Sequence, residues 1–274
     1  MFAIKDLETF KQTDADRQED LRGLVRTGRR ILYRCWRDSF NINRRRIFCQ
    51  NSGGCGSTYI IRLLEANGLT RVFHEKTPDL QKLGLEYYEQ ELPWVRTVSL
   101  LRYTRHDIEF EANNRLFSLS RPIHDAFPGA QFIHLHRDGT EAIRSSLSRP
   151  NATQYIDQNI LFKGSLAGDH KLDTFSRICH YWSNVNKRIY DDLQYLHLAK
   201  GVDSPMLRFE DLINGNLETL EHVLKTELEI KSCPIANKNE IPESKKFPTY
   251  ADWSTKQKQT FDRICGPTMG LLGR

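Results

Sequence analysis

No stretch of this sequence reaches the roughly 18 consecutive apolar residues that span a bilayer. The first thirty residues mix Lys, Asp, Glu and Arg and hold no apolar run of signal-peptide length. Together these absences predict a protein without a membrane span, resident in the cytoplasm. Cysteine is sparse and scattered singly (Cys35, Cys49, Cys55, Cys179, Cys233, Cys265). With no CxxC pair and no Cys/His spacing suited to zinc, a disulfide framework and a zinc module are excluded, and the thiols are expected reduced. Internal repeats, low-complexity tracts and an interdomain linker are also missing, which excludes solenoids and disordered arrays. What remains is 274 residues at 39% hydrophobic and 27% charged, enough to bury one substantial core.

Charge is uneven along the chain. The net +5 is concentrated near the start, where nine arginines but one acid (Asp38) lie between Arg22 and Arg46. Residues 1–45 are expected to form a basic N-terminal helical extension, with Ile31, Leu32 and Trp36 on its buried side, ahead of a catalytic domain over 46–274. A solvated basic helix and an anion-binding face satisfy this pattern equally. The stretch 235–250, rich in Lys, Asn, Glu and Pro, predicts a surface loop.

Strand and helix periods alternate. A short apolar strand at 46–50 runs through NSGGCGST into an amphipathic helix with Ile60, Ile61, Leu63 and Leu64 inward, ended by Asn67–Gly68. QFIHLH at 131–136 predicts a second strand, followed by a helix carrying Ile143 and Leu147. A long helix presents Ile178, Tyr181, Trp182, Val185, Ile189, Leu193 and Leu196 at helical spacing and stops at Gly201. PMLRF reads as a buried strand and NLETLEHVLKTELEI as a helix. The last helix is expected over Ser254–Cys265, opened by the capping pair Ser254/Gln257 and closed by Gly266. Strand–turn–helix units in this order predict a three-layer α/β fold, a central parallel sheet flanked by helices.

The glycine-rich turn carries the first chemical signal. Gly53, Gly54, Gly56, Ser57 and Thr58 let the backbone curl so that its N–H groups and the next helix's dipole point at a phosphate. A nucleoside-triphosphate loop, GxxxxGK followed by Ser or Thr, would need Lys where Gly56 stands, so ATP or GTP hydrolysis is disfavoured. A second turn has related chemistry. Arg137 ends the strand at 131–136 and Ser145 lies eight residues on, offering a guanidinium and a hydroxyl to a further phosphate.

At these residues the sequence resembles the sulfotransferases that use 3′-phosphoadenosine 5′-phosphosulfate. GCGSTY (54–59) is similar to their P-loop-like 5′-phosphosulfate turn. FPGAQFIHLHRDGTEAIRSSLSR (127–149) resembles their 3′-phosphate segment in register over more than twenty residues. LRFEDLINGNLETLEHVL and WSTKQKQTFDRICGPTMGLLG resemble later stretches of the family, extending the similarity from about Ile47 to the end. The resemblance implies that Gly54, Cys55, Gly56, Ser57 and Thr58 cradle the 5′-phosphosulfate and that Tyr59 stands where many members stack on adenine. Arg137 and Ser145 would hold the 3′-phosphate, and Arg149 closes the motif. Tyr59 equally suits a core aromatic on an apolar helix face. One departure stands out, because members usually begin the loop with Lys or Arg against the leaving phosphate and this chain has Gly54. Another cation then substitutes, or the nucleotide is bound without turnover.

VFHEKTPDLQKLGLEYYEQELP (72–93) resembles a segment of heparan-type sulfotransferases that opens on a Glu acting as base; Glu75 falls there, flanked by His74 and Lys76, and Gly84, Tyr88 and Pro93 keep the downstream pattern with Tyr87 in place of its Trp. Alternation along an extended segment points neighbours opposite ways, so His74, Glu75 and Lys76 are not all expected to face one site. Glu111, with Asn113 on the same face if 110–114 is extended, is the second candidate for the base, or the pair caps a following helix. His134 and His136 share a strand face without a third ligand, so no metal is expected. Trp182 and Asn186 lie one turn apart on the long helix, with Trp182 reading as core, and Arg208 with Glu210 could order the nucleotide turns or form a structural ion pair. The expected reaction is sulfuryl transfer from 3′-phosphoadenosine 5′-phosphosulfate to a hydroxyl or amine of a small-molecule or carbohydrate acceptor, with carbohydrate or glycolipid implied by the resemblance, and with no metal and no nucleic acid. A nucleotide kinase-like phosphoryl transferase, a non-catalytic nucleotide binder and, more distantly, a basic nucleic-acid module are the alternatives. Oligomeric state is not legible.

Overall fold

Side chains alternate across a strand, and here both faces of the three longer described strands are buried, so the sheet is covered on both sides. The computed structural model describes residues 46–75, 79–104, 109–149, 151–158, 165–229 and 246–273. Of the chain's two units, 45–101 with 107–274 carries the fold; the other, 1–44 with 102–106, lies outside the described residues apart from 102–104. The predicted basic extension 1–45 and most of the predicted loop 235–250 are therefore outside them too.

The described elements are β1 (Ile47–Gln50), α1 (Ser57–Ala66), β2 (Val72–His74), α2 (Asp79–Tyr88), α3 (Trp94–Thr104), β3 (Phe110–Asn113), α4 (Ser120–Ala126), β4 (Gln131–His136), α5 (Gly139–Leu147), α6 (Ala152–Gln158), α7 (Thr174–Lys200), β5 (Met206–Arg208), α8 (Phe209–Ile213), α9 (Glu218–Leu224) and α10 (Thr255–Leu271). The five strands form one parallel sheet in the order β2-β3-β1-β4-β5. This is the predicted α/β architecture. The chain leaves β1 toward one edge, returns, and crosses to the other through β4. The β1 turn therefore sits where strand order reverses, the place at which open α/β sheets bind ligands.

Register assigns each residue to a layer. Ile47, Cys49, Phe110, Ala112, Ile133, Leu135 and Leu207 face α1 and α9, where Ile60, Leu63, Leu64, Leu220 and Leu224 are buried. Phe48 and Phe132 face the opposite layer, stacked at 6.1 Å and joined by Phe127 at 6.2 Å from Phe48, with α7 and α10 packed outside them. Such aromatic pairs contribute about 0.5–1.5 kcal/mol beyond area burial.

Two helix boundaries differ from expectation. The last helix does not stop at Gly266 but continues through Pro267 to Leu271. Tertiary contact overrides the local stop: the Ser183 hydroxyl on α7 donates to the Ile264 carbonyl and meets the Thr268 hydroxyl at 2.7 Å, while Cys265, Thr268 and Leu272 are buried. Conversely, the helix expected to run to about residue 230 ends at Leu224, because Lys225 takes a left-handed conformation with φ of 51°.

Candidate functional site

The site begins where β1 runs out of pairing partners. Gly53, Gly54 and Gly56 have φ of 78°, 66° and 83°, a region open to glycine and costly to other residues. Asn51 Oδ1 fastens the curl by accepting from the Gly53 N–H at 2.9 Å. At Gly56 space matters as well as φ, since a Cβ there would stand 2.1 Å from the Phe209 ring. Cys55 turns its sulfur inward, 3.2 Å from the Gly53 carbonyl and 3.4 Å from Ser52 Oγ. Burial pushes that thiol above its ordinary range, against the smaller opposing effects of Ser52 and Arg137. Cys55 can thus offer an anion only its backbone N–H. No side chain caps the start of α1, which leaves first-turn N–H groups directed outward from Ser57 and Thr58.

The second turn folds against the first. Asp138 caps α5 by accepting from Thr140 N at 2.9 Å and Glu141 N at 3.4 Å, and its own N–H donates to Glu210 Oε1 at 2.9 Å. Arg137 is thereby held with Nη1 3.3 Å from the Gly54 carbonyl, Nη2 3.5 Å from Glu141, and its guanidinium 5.2 Å above the Phe209 ring. Ser145 Oγ lies 3.7 Å from the point where a Gly54 Cβ would project. Arg137, Ser145 and the loop, separated by some eighty residues, share one small region. Tyr59 is half-buried, edge-on to Phe209 at 5.9 Å and packed on the α1 side of the core.

A third group comes from the ends of β2 and β3. His74 Nε2 lies 2.8 Å from Ser57 Oγ, tying β2 to the start of α1. Glu75 leaves the strand with φ of 49°, so simple alternation ends there; its N–H donates to the Ala112 carbonyl at 3.2 Å and its Oε2 meets Arg115 Nη2 at 3.5 Å. Non-glycine residues in this region cost of order 1–3 kcal/mol and cluster at functional sites. Lys76 lies outside the described residues. Asn113 Oδ1 accepts from Arg115 N at 2.8 Å, capping the short 3₁₀ turn 114–116, and Asn113 Nδ2 donates to Glu111 Oε1 at 2.8 Å. Glu111 and Asn113 do share a face, but Glu111 is fully buried in register with Phe48. Gly84 has a steric reason: a Cβ there would lie 2.5 Å from the Arg115 carbonyl, and Ser118 Oγ donates to the Gly84 carbonyl at 2.6 Å.

Beneath the loop runs a buried polar chain. Asn186 donates its amide protons to Ser52 Oγ (3.0 Å) and the Trp182 carbonyl (2.8 Å), so its Oδ1 accepts from His134 Nε2–H at 2.9 Å. Burial, with the neighbouring His136 adding to it, pushes His134 down to about 3 despite the Asn186 bond, so the imidazole is neutral. Ser52 in turn contacts Cys55, so α7 braces the loop from below. Among the described residues no three His, Cys, Asp or Glu side chains cluster as metal ligands, and no helix is long and apolar enough to cross a membrane.

No protein-family model matches the sequence, and no curated protein does. Among solved structures, the sulfotransferase domain from the curacin biosynthetic pathway superposes with a TM-score of 0.45 at 14% identity, over 84% of this chain and 96% of that one. A sulfotransferase from Alicyclobacillus acidocaldarius superposes with a TM-score of 0.42 at 12% identity, over 84% and 94%. Likeness at this level assigns no activity.

Three contributors carry no signal in the sequence strong enough to single them out as site residues. Phe209 fills the space between Gly56 and Arg137, Arg115 pairs with Glu75, and Asn186 joins Ser52 to His134. The expected buried strand PMLRF is shorter than predicted, Met206–Arg208 with only Leu207 buried, and Phe209 opens α8 instead.

Proposed function

We propose that the chain binds 3′-phosphoadenosine 5′-phosphosulfate across its two turns and transfers the sulfuryl group to a hydroxyl or amine of an acceptor, a carbohydrate or glycolipid by the resemblance of residues 72–93. The observation that carries this reading is the meeting of Arg137 and Ser145 with the loop at Gly54. A donor with phosphates on both its 3′ and 5′ positions needs two separate anion sites a nucleoside apart. The uncapped N–H groups of Ser57 and Thr58 suit the phosphosulfate end, and the guanidinium and hydroxyl of the second turn suit the 3′-phosphate. Glu75, half-buried beside the loop, is the group suited to take the acceptor proton. His74, bonded to Ser57, fixes the β2 end against the loop and can donate to charge growing on the sulfuryl oxygens.

Calorimetry tests the reading. 3′-Phosphoadenosine 5′-phosphate should bind far better than 5′-AMP or ATP, with or without magnesium, and Arg137→Ala should remove most of that advantage, a cost on the order of 2–4 kcal/mol for a desolvated phosphate contact. Equal affinity of the wild-type protein for the bisphosphate and 5′-AMP would end it.

A further inference from the structure

The cation that the loop lacks has to come from elsewhere, and position 54 could not readily carry it. Gly54 has φ of 66°, and a side chain there would start 3.4 Å from the Ala142 carbonyl, directed at α5 and Ser145. Among the described residues, the C-terminal ends of the strands run into three arginines. Arg137 is committed to the second turn through Gly54, Glu141 and Phe209. Arg208 is 44% exposed and leans toward Asp211 at 3.9 Å. Arg115 is different. It is 21% exposed, and both members of its pair with Glu75 are chain neighbours of residues that touch the loop. On one side Asn114 Nδ2 stands 3.3 Å from where a Gly53 Cβ would be; on the other His74 bonds Ser57.

We propose that Arg115 supplies the positive charge that meets the transferred sulfuryl group, in place of a cation on the loop; this rests on the nucleotide reading above. Transfer breaks the sulfur–oxygen bond to the 5′-phosphate, whose oxygen keeps the electron pair. A new bond forms from sulfur to the acceptor oxygen or nitrogen, and the acceptor proton passes to a Glu75 carboxylate oxygen. In the donor complex the guanidinium is shared between Glu75 and the sulfuryl group, and once that proton neutralises Glu75 it no longer competes for Arg115 as charge grows on the sulfuryl and leaving oxygens. The resting ion pair thus stores the guanidinium beside the site, fixed by the capped 3₁₀ turn and by Gly84 packed against the Arg115 carbonyl.

The proposal predicts a selective binding defect that needs no acceptor to measure. In Arg115→Ala, affinity for 3′-phosphoadenosine 5′-phosphosulfate should fall roughly 10- to 100-fold, the usual range for losing a charged hydrogen bond, while affinity for 3′-phosphoadenosine 5′-phosphate stays within about twofold. Arg115→Lys, which keeps charge but not the planar fork, should recover part of the loss. Glu75→Gln, which frees the guanidinium, should bind the phosphosulfate at least as well as wild type. Equal loss of both nucleotides, or loss of neither, overturns the assignment of Arg115 while the nucleotide reading stands. Failure of wild-type protein to bind either nucleotide removes that reading and this one with it.

Discussion

Gly56→Ala is the sharpest probe of how the loop is built. The methyl group would enter at 2.1 Å from Phe209 Cδ2 and Cε2, well inside contact distance, and φ of 83° would remain imposed on a residue with a Cβ. The conformational part costs about 1–2 kcal/mol, and overpacking typically costs about 1–3 kcal/mol more. Phe209 cannot yield freely, because Arg137 lies over its ring and Tyr59 packs edge-on to it. We therefore expect a stability loss of roughly 2–5 kcal/mol, read as a lower midpoint in urea at unchanged slope, together with weakened binding of 3′-phosphoadenosine 5′-phosphate. Phe209→Leu in the Gly56→Ala background should return the steric share but not the conformational one, giving non-additive energies in a double-mutant cycle. A Gly56→Ala protein as stable and as tightly binding as wild type would refute the idea that Phe209 sets the loop's shape.

Glu75→Gln should lower turnover roughly 10²–10⁴-fold with nucleotide affinity nearly unchanged, measured as acceptor-dependent release of 3′-phosphoadenosine 5′-phosphate over a glycan panel. Glu111→Gln, whose amide oxygen can still accept from Asn113, should remain active, and the opposite pattern would reverse the two carboxylates. If Arg137 and backbone N–H groups meet the phosphate charge as proposed, transfer should survive EDTA; loss on chelation with recovery on magnesium would favour phosphoryl-transfer chemistry. His134, held down to about 3, binds a proton in the unfolded chain below its ordinary 6.5 but not in the folded one. Its contribution is therefore complete above about pH 6.5 and is lost as pH falls toward 3, at up to about 1.4 kcal/mol per pH unit. Denaturation curves of His134→Gln should show a shallower decline over that window, and an identical slope would remove His134 as its source.

Much of the architecture was readable because local rules and tertiary packing agree. The 3.6-residue apolar period of α7 and its Gly201 stop, the apolar strands β1 and β4, and the Ser254/Gln257 capping box at the start of α10 need nothing distant to form. The glycines of the loop were legible for the same reason, since a left-handed run after a strand admits few other residues. Where local and distant demands conflict, the sequence misleads. Gly266–Pro267 reads as a stop, yet the Ser183 hydroxyl and the burial of Thr268 and Leu272 carry the helix past it.

Two turns, one rich in glycine and one opening on an arginine, each following a strand, can be read from the chain alone, because glycine φ freedom and a strand-end arginine are local properties. That the turns meet is a consequence of strand pairing, since β1 and β4 lie side by side in a parallel sheet although some eighty residues separate them in the chain. The tertiary structure likewise decided that Glu75 faces Arg115 whereas Glu111 is sealed under the sheet's other layer. Those outcomes depend on which strands become neighbours. The hydrophobic period of a strand says which face is buried, but not beside what.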